Sequence, residues 1–169
     1  MQAIAVIAVL AAMWFSFGQN VLAPRQQTVA PQRLGTMDLV STVKGSAALR
    51  EVSKLHGTDV GLVDAYIAEY AHSSPYHGTG QVTVWVGIAE NGDAAAELTG
   101  RMVQGIQKGG SSFANLQRLS MAGQEAFRVD GPGGAHFFYN SQQSRERVIW
   151  ATIEGGDTQS ILEQVLQSF

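Results

Sequence analysis

Gln81-Val82-Thr83-Val84-Trp85-Val86-Gly87-Ile88-Ala89 alternates without a break, placing Val82, Val84, Val86 and Ile88 on one side and Thr83, Trp85 and Gly87 on the other. Successive side chains of an extended chain point to opposite faces, so this is a strand with one wholly apolar face. Asn91-Gly92-Asp93 stops it and caps a helix over about 94–108, in which Ala95, Leu98, Met102 and Ile106 line one side before Gly109 and Gly110 end it. Upstream, 63–71 reads as a second strand. The connection 72–80, with Ser-Ser-Pro and two glycines, makes the two an antiparallel pair joined by a loop rather than a tight turn.

Ahead of this pair, the spacing predicts a first helix over about 38–56, interrupted at Gly45. Ser46 stands as N-cap of its second half, Leu49, Val52 and Leu55 fall on one face, and Gly57 sits in a C-cap position. Downstream, four strands are expected at 116–121, 125–129, 135–140 and 148–153. They are punctuated by Ala122-Gly123, by Asp130-Gly131-Pro132-Gly133-Gly134 and by a polar turn through 142–146. Gly155-Gly156 break the last strand, and Asp157 caps a helix that turns Ile161, Leu162, Val165 and Phe169 inward. The expected order is α, β, β, α, β, β, β, β, α. Hairpin-joined strands with helices between them predict an α+β domain, an antiparallel sheet of about six strands covered on one face by two or three helices.

Residues 3–17 contain a single polar side chain, Ser16, and the apolar run continues less strictly to Ala23. At about 1.5 Å per residue, 3–23 reaches about 31 Å, the thickness of a hydrocarbon core. The segment lacks a basic n-region, and Pro24 follows its best small-residue site, so a retained single-pass anchor is preferred over a cleaved signal peptide. The organisation expected is an anchor at 1–23, a linker at 24–36 and a folded domain at 37–169. Arg25 and Arg33 would hold that domain in the cytoplasm by the positive-inside rule. A chain that opens directly on its apolar segment commonly exports its downstream domain, and the low lysine content agrees, so the reading places the domain outside the cytoplasm. The bilayer is one expected partner, and Trp14 and Phe15 suit a membrane interface or a neighbouring helix.

Composition removes several function classes. Charged residues are 15% of the chain against roughly 25% in an average domain, so disorder from excess charge is excluded. The net charge of −3 leaves no basic footprint for nucleic acid. The absence of cysteine removes thiolate metal sites and a cysteine nucleophile.

Glu69, His72 and His77 form the most suggestive polar cluster, since carboxylate and imidazole ligate divalent ions. Their spacing matches no helical or hairpin ligand motif, and an ordinary polar loop accounts for them, so no metal or cofactor is expected. His56 suits the last carbonyls of a helix, and His136 reads as a surface strand residue opposite in face to Phe137 and Tyr139. The glycines after Asp130 precede a strand, not the helix a phosphate loop needs. Ser111 and Ser112 open a loop and lie outside any nucleophile elbow.

Tyr66, Tyr70, Trp85, Phe137, Tyr139 and Trp150 are expected to share the sheet face away from Val82, Val84 and Val86, as a recognition surface or packed beneath a loop or the first helix. Three function classes fit these features. A non-catalytic accessory subunit, tied to a larger and for example energy-transducing membrane assembly, calls for a flat exposed patch. A tethered carrier or sensor of an apolar ligand calls for a concave apolar pocket with a few polar groups between helices and sheet. A metal-dependent enzyme would use Glu69, His72 and His77.

Overall fold

The alternating stretch forms β4 (Gln81–Ile88), fourth of the eight strands found among the described residues. The computed structural model describes residues 29–56, 58–72, 80–109 and 111–169. Within them the chain runs β1 (Arg33–Leu34), β2 (Met37–Lys44), α1 (Ser46–His56), β3 (Asp64–Ala71), β4, α2 (Gly92–Gln107), β5 (Ala114–Met121), β6 (Gln124–Gly131), β7 (Gly134–Asn140), β8 (Arg147–Glu154) and α3 (Thr158–Ser168). The sheet order is β1-β2-β3-β4-β8-β7-β6-β5 and every pairing is antiparallel. Two meanders, β1 to β4 and β5 to β8, therefore meet where β4 pairs with β8 in unbroken register from Gln81↔Glu154 to Ile88↔Arg147.

The α+β architecture is as the sequence predicts, with eight strands in place of about six, and details of the N-terminal part differ. Residues 38–44 are strand, not helix: Val40, Ser41, Thr42 and Val43 are β-branched or weak helix formers, and β3 supplies their hydrogen-bond partners. The helix begins only after Gly45, whose carbonyl accepts from Leu49 N–H, so Gly45 and not Ser46 holds the N-cap position. The stretch read as a linker contributes β1, and its Ala30 and Leu34 are buried in the core. Asn91 and Asp157 cap α2 and α3 as expected, each side chain accepting from first-turn N–H groups.

Helices cover both faces of the sheet rather than one. On the first, Val82, Val84 and Val86 pack with Ala151, Ile153 and the inner side of α3, whose Ile161, Leu162 and Val165 are buried together with Phe169. On the second, Ala48 and Val52 of α1 sit on Ala65 and Ile67, while α2 lays Leu98 on Val148 and Ile106 on Val129 and Phe138. Strands β4, β7 and β8 place large apolar residues on both faces, Trp85, Phe138, Val148 and Trp150 on the second, and a sheet apolar on both sides requires two covers. No helix among the described residues is long and apolar enough to cross a membrane, and the apolar segment 3–23 lies outside them.

Tyr66, Tyr70 and Tyr139 lie in the first-face core. Burial pushes the Tyr66 phenol up to about 12, with Arg147 pulling the other way. Burial, and then the neighbouring Tyr66, move Tyr70 and Tyr139 upward as well. Tyr70 Oη donates to Pro31 O at 2.9 Å and Tyr139 Oη to Val165 O at 3.3 Å, bonds that need the neutral phenol. The unfolded chain ionises tyrosine near pH ~10, before the folded protein does, so stability is whole below about pH 10 and falls as the pH climbs from there. The urea midpoint is expected to drop steeply between about pH 10 and 12, with phenolate absorbance from these tyrosines appearing together with unfolding. Phenolate titration of all tyrosines near their ordinary value, with the fold intact, would contradict this arrangement.

Candidate functional site

Face membership of the aromatic residues differs from expectation. Register pairs Tyr66 with Val86 and Tyr70 with Val82, and residues directly opposite one another share a face. Tyr66, Tyr70, Phe137 and Tyr139 accordingly lie with the valines, buried beneath α3. They are no part of an exposed surface. Trp85 and Trp150 lie on the other face, directly opposite each other across the β4–β8 junction and only half buried.

Those two tryptophans form the floor of an apolar groove of about 770 Å³ on the second face. Its walls are α1, through Val52 and Leu55, and α2, through Leu98, Met102 and Ile106, and Phe113 lies toward one end. Leu55 is 67% exposed, an apolar side chain left at the groove instead of being packed. The groove exists because α1 and α2 cover different strands: α1 packs on β2 and β3, whereas α2 packs on β5, β7 and β8. The two helices therefore approach the central β4–β8 pair from opposite sides, α1 over β3 and α2 over β8, and the groove runs between them. Gly87 on the floor lets Leu62 settle directly over the strand, where a Cβ would come within 2.7 Å of Leu62 Cδ1.

The floor belongs to a row of large side chains running straight across the sheet. Arg118, Phe127, Phe138, Trp150, Trp85 and Ile67 are successive register partners. The rings of Phe127 and Phe138 stack at 5.0 Å, and those of Phe138 and Trp150 at 5.4 Å and 9°. Arg118 lies 5.4 Å from the Phe127 ring centroid, ending the row with a cation over a π face. Phe113 meets Trp150 edge-on at 4.8 Å and His136 at 5.0 Å.

His136 is buried, 4% exposed, and not the surface residue expected of it. Its Nε2 lies 2.7 Å from Pro132 O and its Nδ1 3.1 Å from Thr152 Oγ1. A carbonyl only accepts, so Nε2 carries the hydrogen, and Nδ1 of the neutral ring accepts from the Thr152 hydroxyl. Both nitrogens are thereby engaged, and the Thr152 oxygen keeps lone pairs on the groove lining. Arg101, the one fully charged side chain on the lining among the described residues, is held by Glu97 Oε1 at 2.8 Å and by Val60 O at 3.3 Å.

Of the remaining sequence candidates, Glu69 pairs with Thr83 and Ser41 on the groove's face of the sheet. His72 follows the end of β3, and His77, Trp14 and Phe15 lie outside the described residues. No group of three or more His, Cys, Asp or Glu suited to a metal occurs among the described residues. His56 Nδ1 donates to Val52 O at 2.9 Å, the helix-end role its position suggests. A second, polar hollow at the start of α2, near Asp93 and Arg145, adjoins a first turn already capped by Asn91.

The sequence reading missed His136, Thr152, Phe138 and Phe113 as companions of the tryptophans. The available signal was the 135–140 strand itself, whose alternation puts His136 and Phe138 on the face opposite Phe137 and Tyr139. The chain matches no family model, no curated protein and no solved structure.

Proposed function

We propose that this domain is a non-catalytic binding module for an apolar small molecule, carried in the groove between α1, α2 and the sheet and tethered to a membrane by residues 3–23. The observation that carries this reading is the groove itself, a concavity of about 770 Å³ lined by apolar side chains with two half-exposed tryptophans beneath it. Its volume lies in the range of small-molecule sites, about 300–1,000 Å³, and so does its chemistry, mostly apolar with a few placed polar groups. The geometry around Thr152 speaks against one chemistry, acyl transfer with oxyanion donors from its own strand. The Thr152 hydroxyl touches an imidazole, yet β8 is paired on both sides, by β4 and β7, so its backbone N–H groups are spent in the ladder. Acyl transfer needs free donors aimed at a developing oxyanion.

Gly105 supplies the test. It lies on the groove wall in α2, and a Cβ built there meets nothing within 4 Å. Gly105→Phe therefore adds bulk at the groove wall from a Cβ that meets open space, and replacing a helical glycine carries no propensity cost. The full chain is expected to bind an uncharged solvatochromic probe saturably at one per chain, and Gly105→Phe to weaken that binding by about tenfold or more at unchanged thermal stability. Equal binding by both proteins, or no saturable binding by either, would overturn the proposal.

A second reading is the accessory subunit of a larger membrane assembly, and the exposed apolar side chains Val29 and Val40, at 61% and 58%, favour it. Extraction in mild detergent separates the two. A complex of fixed composition supports the subunit reading, and a chain that elutes alone removes it.

A further inference from the structure

The stack of rings across the second face breaks at the junction of the two meanders. From Phe127 through Phe138 to Trp150 each ring lies parallel to the next. Trp85 is the register partner of Trp150 and would be next in the row. The two belong to different clusters: Trp150 packs with Phe138, Ile106 and Phe113 under α2, whereas Trp85 packs with Ala48, Val52 and Ile67 under α1. The groove lies over that boundary and both rings line it. Each tryptophan is thus held by a different helix, and the row is interrupted at the point where the cavity opens.

We infer that the molecule bound here is flat, uncharged and aromatic, that its ring enters between Trp85 and Trp150 to continue the row, and that it carries a hydroxyl or N–H on its edge for Thr152. The inference rests on the binding role proposed above and names the class of ligand. Aromatic rings gain from offset stacking beyond the area they bury, which a saturated ring of the same size does not. Arg101, the one fully charged lining side chain among the described residues, is more than half exposed and paired with Glu97, so an ionised group placed over the two tryptophans, away from it, would lose hydration without compensation. Thr152 has given its hydrogen to His136 in the neutral pair and presents only an accepting oxygen, which selects a donor on the ligand.

The test uses the full chain with Trp14→Phe, so that only Trp85 and Trp150 emit, and three probes of one size: naphthalene, naphthol and decalin. Quenching of tryptophan emission follows the first two, and decalin is read by displacement of bound naphthalene. Naphthalene is expected to bind about tenfold more tightly than decalin, and naphthol more tightly again by about fivefold. Trp150→Leu and, separately, Trp85→Leu should each erase the preference for naphthalene, the second variant serving if the first fails to fold. Thr152→Ser should keep the naphthol gain and Thr152→Val lose it. Decalin binding as well as naphthalene would overturn the aromatic assignment while leaving the groove's binding role intact. Saturable binding of none of the three, with Gly105→Phe indistinguishable from the parent, would overturn both. Binding unchanged in both tryptophan variants would place the probe elsewhere and overturn the inference.

Discussion

Phe169→Ala is expected to lower the unfolding free energy by about 3–5 kcal/mol, the cost of truncating a fully buried aromatic and leaving a cavity. Phe169 is 1% exposed although it follows the last helical residue. Its ring lies 6.5 Å from Tyr66 and 6.2 Å from Tyr70, stacked on one and edge-on to the other. Its backbone is held at both ends, since its N–H donates to Val165 O at 3.1 Å and its carbonyl accepts from Ser141 Oγ at 2.6 Å. The backbone anchor prevents α3 from sliding in to fill the void, so the site collapses little and the loss falls toward the upper end of that range. Total stabilities of about 5–15 kcal/mol make this a large fraction of the whole. Urea unfolding followed by circular dichroism measures it, and Phe169→Leu, which keeps most of the volume, should cost only about 1 kcal/mol. A loss below about 1 kcal/mol in the alanine variant would show that α3 closes the first face without this residue.

Gly134→Ala is expected to cost on the order of 3 kcal/mol, from backbone strain and overlap together. Gly134 opens β7 at φ +137, in a region nearly closed to residues with a Cβ. A methyl there would also overlap the carbonyl oxygen of Ile153 and approach Glu154 Cγ at 3.1 Å. Ile153 O belongs to the backbone of β8 and cannot turn aside as a flexible side chain would. Its neighbour Gly133, at φ +85, is the control: a Cβ there meets only Glu154 Oε1 at 3.7 Å. Gly133→Ala should therefore cost about 1 kcal/mol, strain alone. The difference between the two, read from the same unfolding curves, is the contact with β8 together with the extra strain of the φ +137 position. Equal costs would mean that the β6–β7 hairpin shifts freely and does not fix the register of β7 on β8.

That register bears on the groove, because it carries His136 to Thr152 and Phe138 to Trp150. Much of the frame is legible locally. The period of two at 81–88, the caps Asn91 and Asp157, the glycine-bearing turns of the second meander and the inward side of α3 all follow from neighbours a few residues apart. The segment 38–44 is illegible as a strand because Leu39, Val40 and Val43 suit either period, and β3, which settles it, lies beyond α1. The face of each aromatic residue is illegible for a related reason. β3 reaches β4 through the long connection 72–80, and a slip of one residue in such a pairing moves every side chain to the opposite face. The strict alternation of β4 says which residues go together and not which partners from β3 join them.

Periodicity and capping depend on residues within one or two turns of each other, and they suffice for an antiparallel α+β domain, the alternating strand at 81–88 and the N-caps of the last two helices. Three-dimensional packing alone joins the two meanders at β4 and β8, closes the core under α3 with four of the six singled-out aromatics, and brings Trp85 and Trp150 together in a groove. Register between strands distant in the chain is set by burial on both sheet faces at once, a condition that no local stretch of residues expresses.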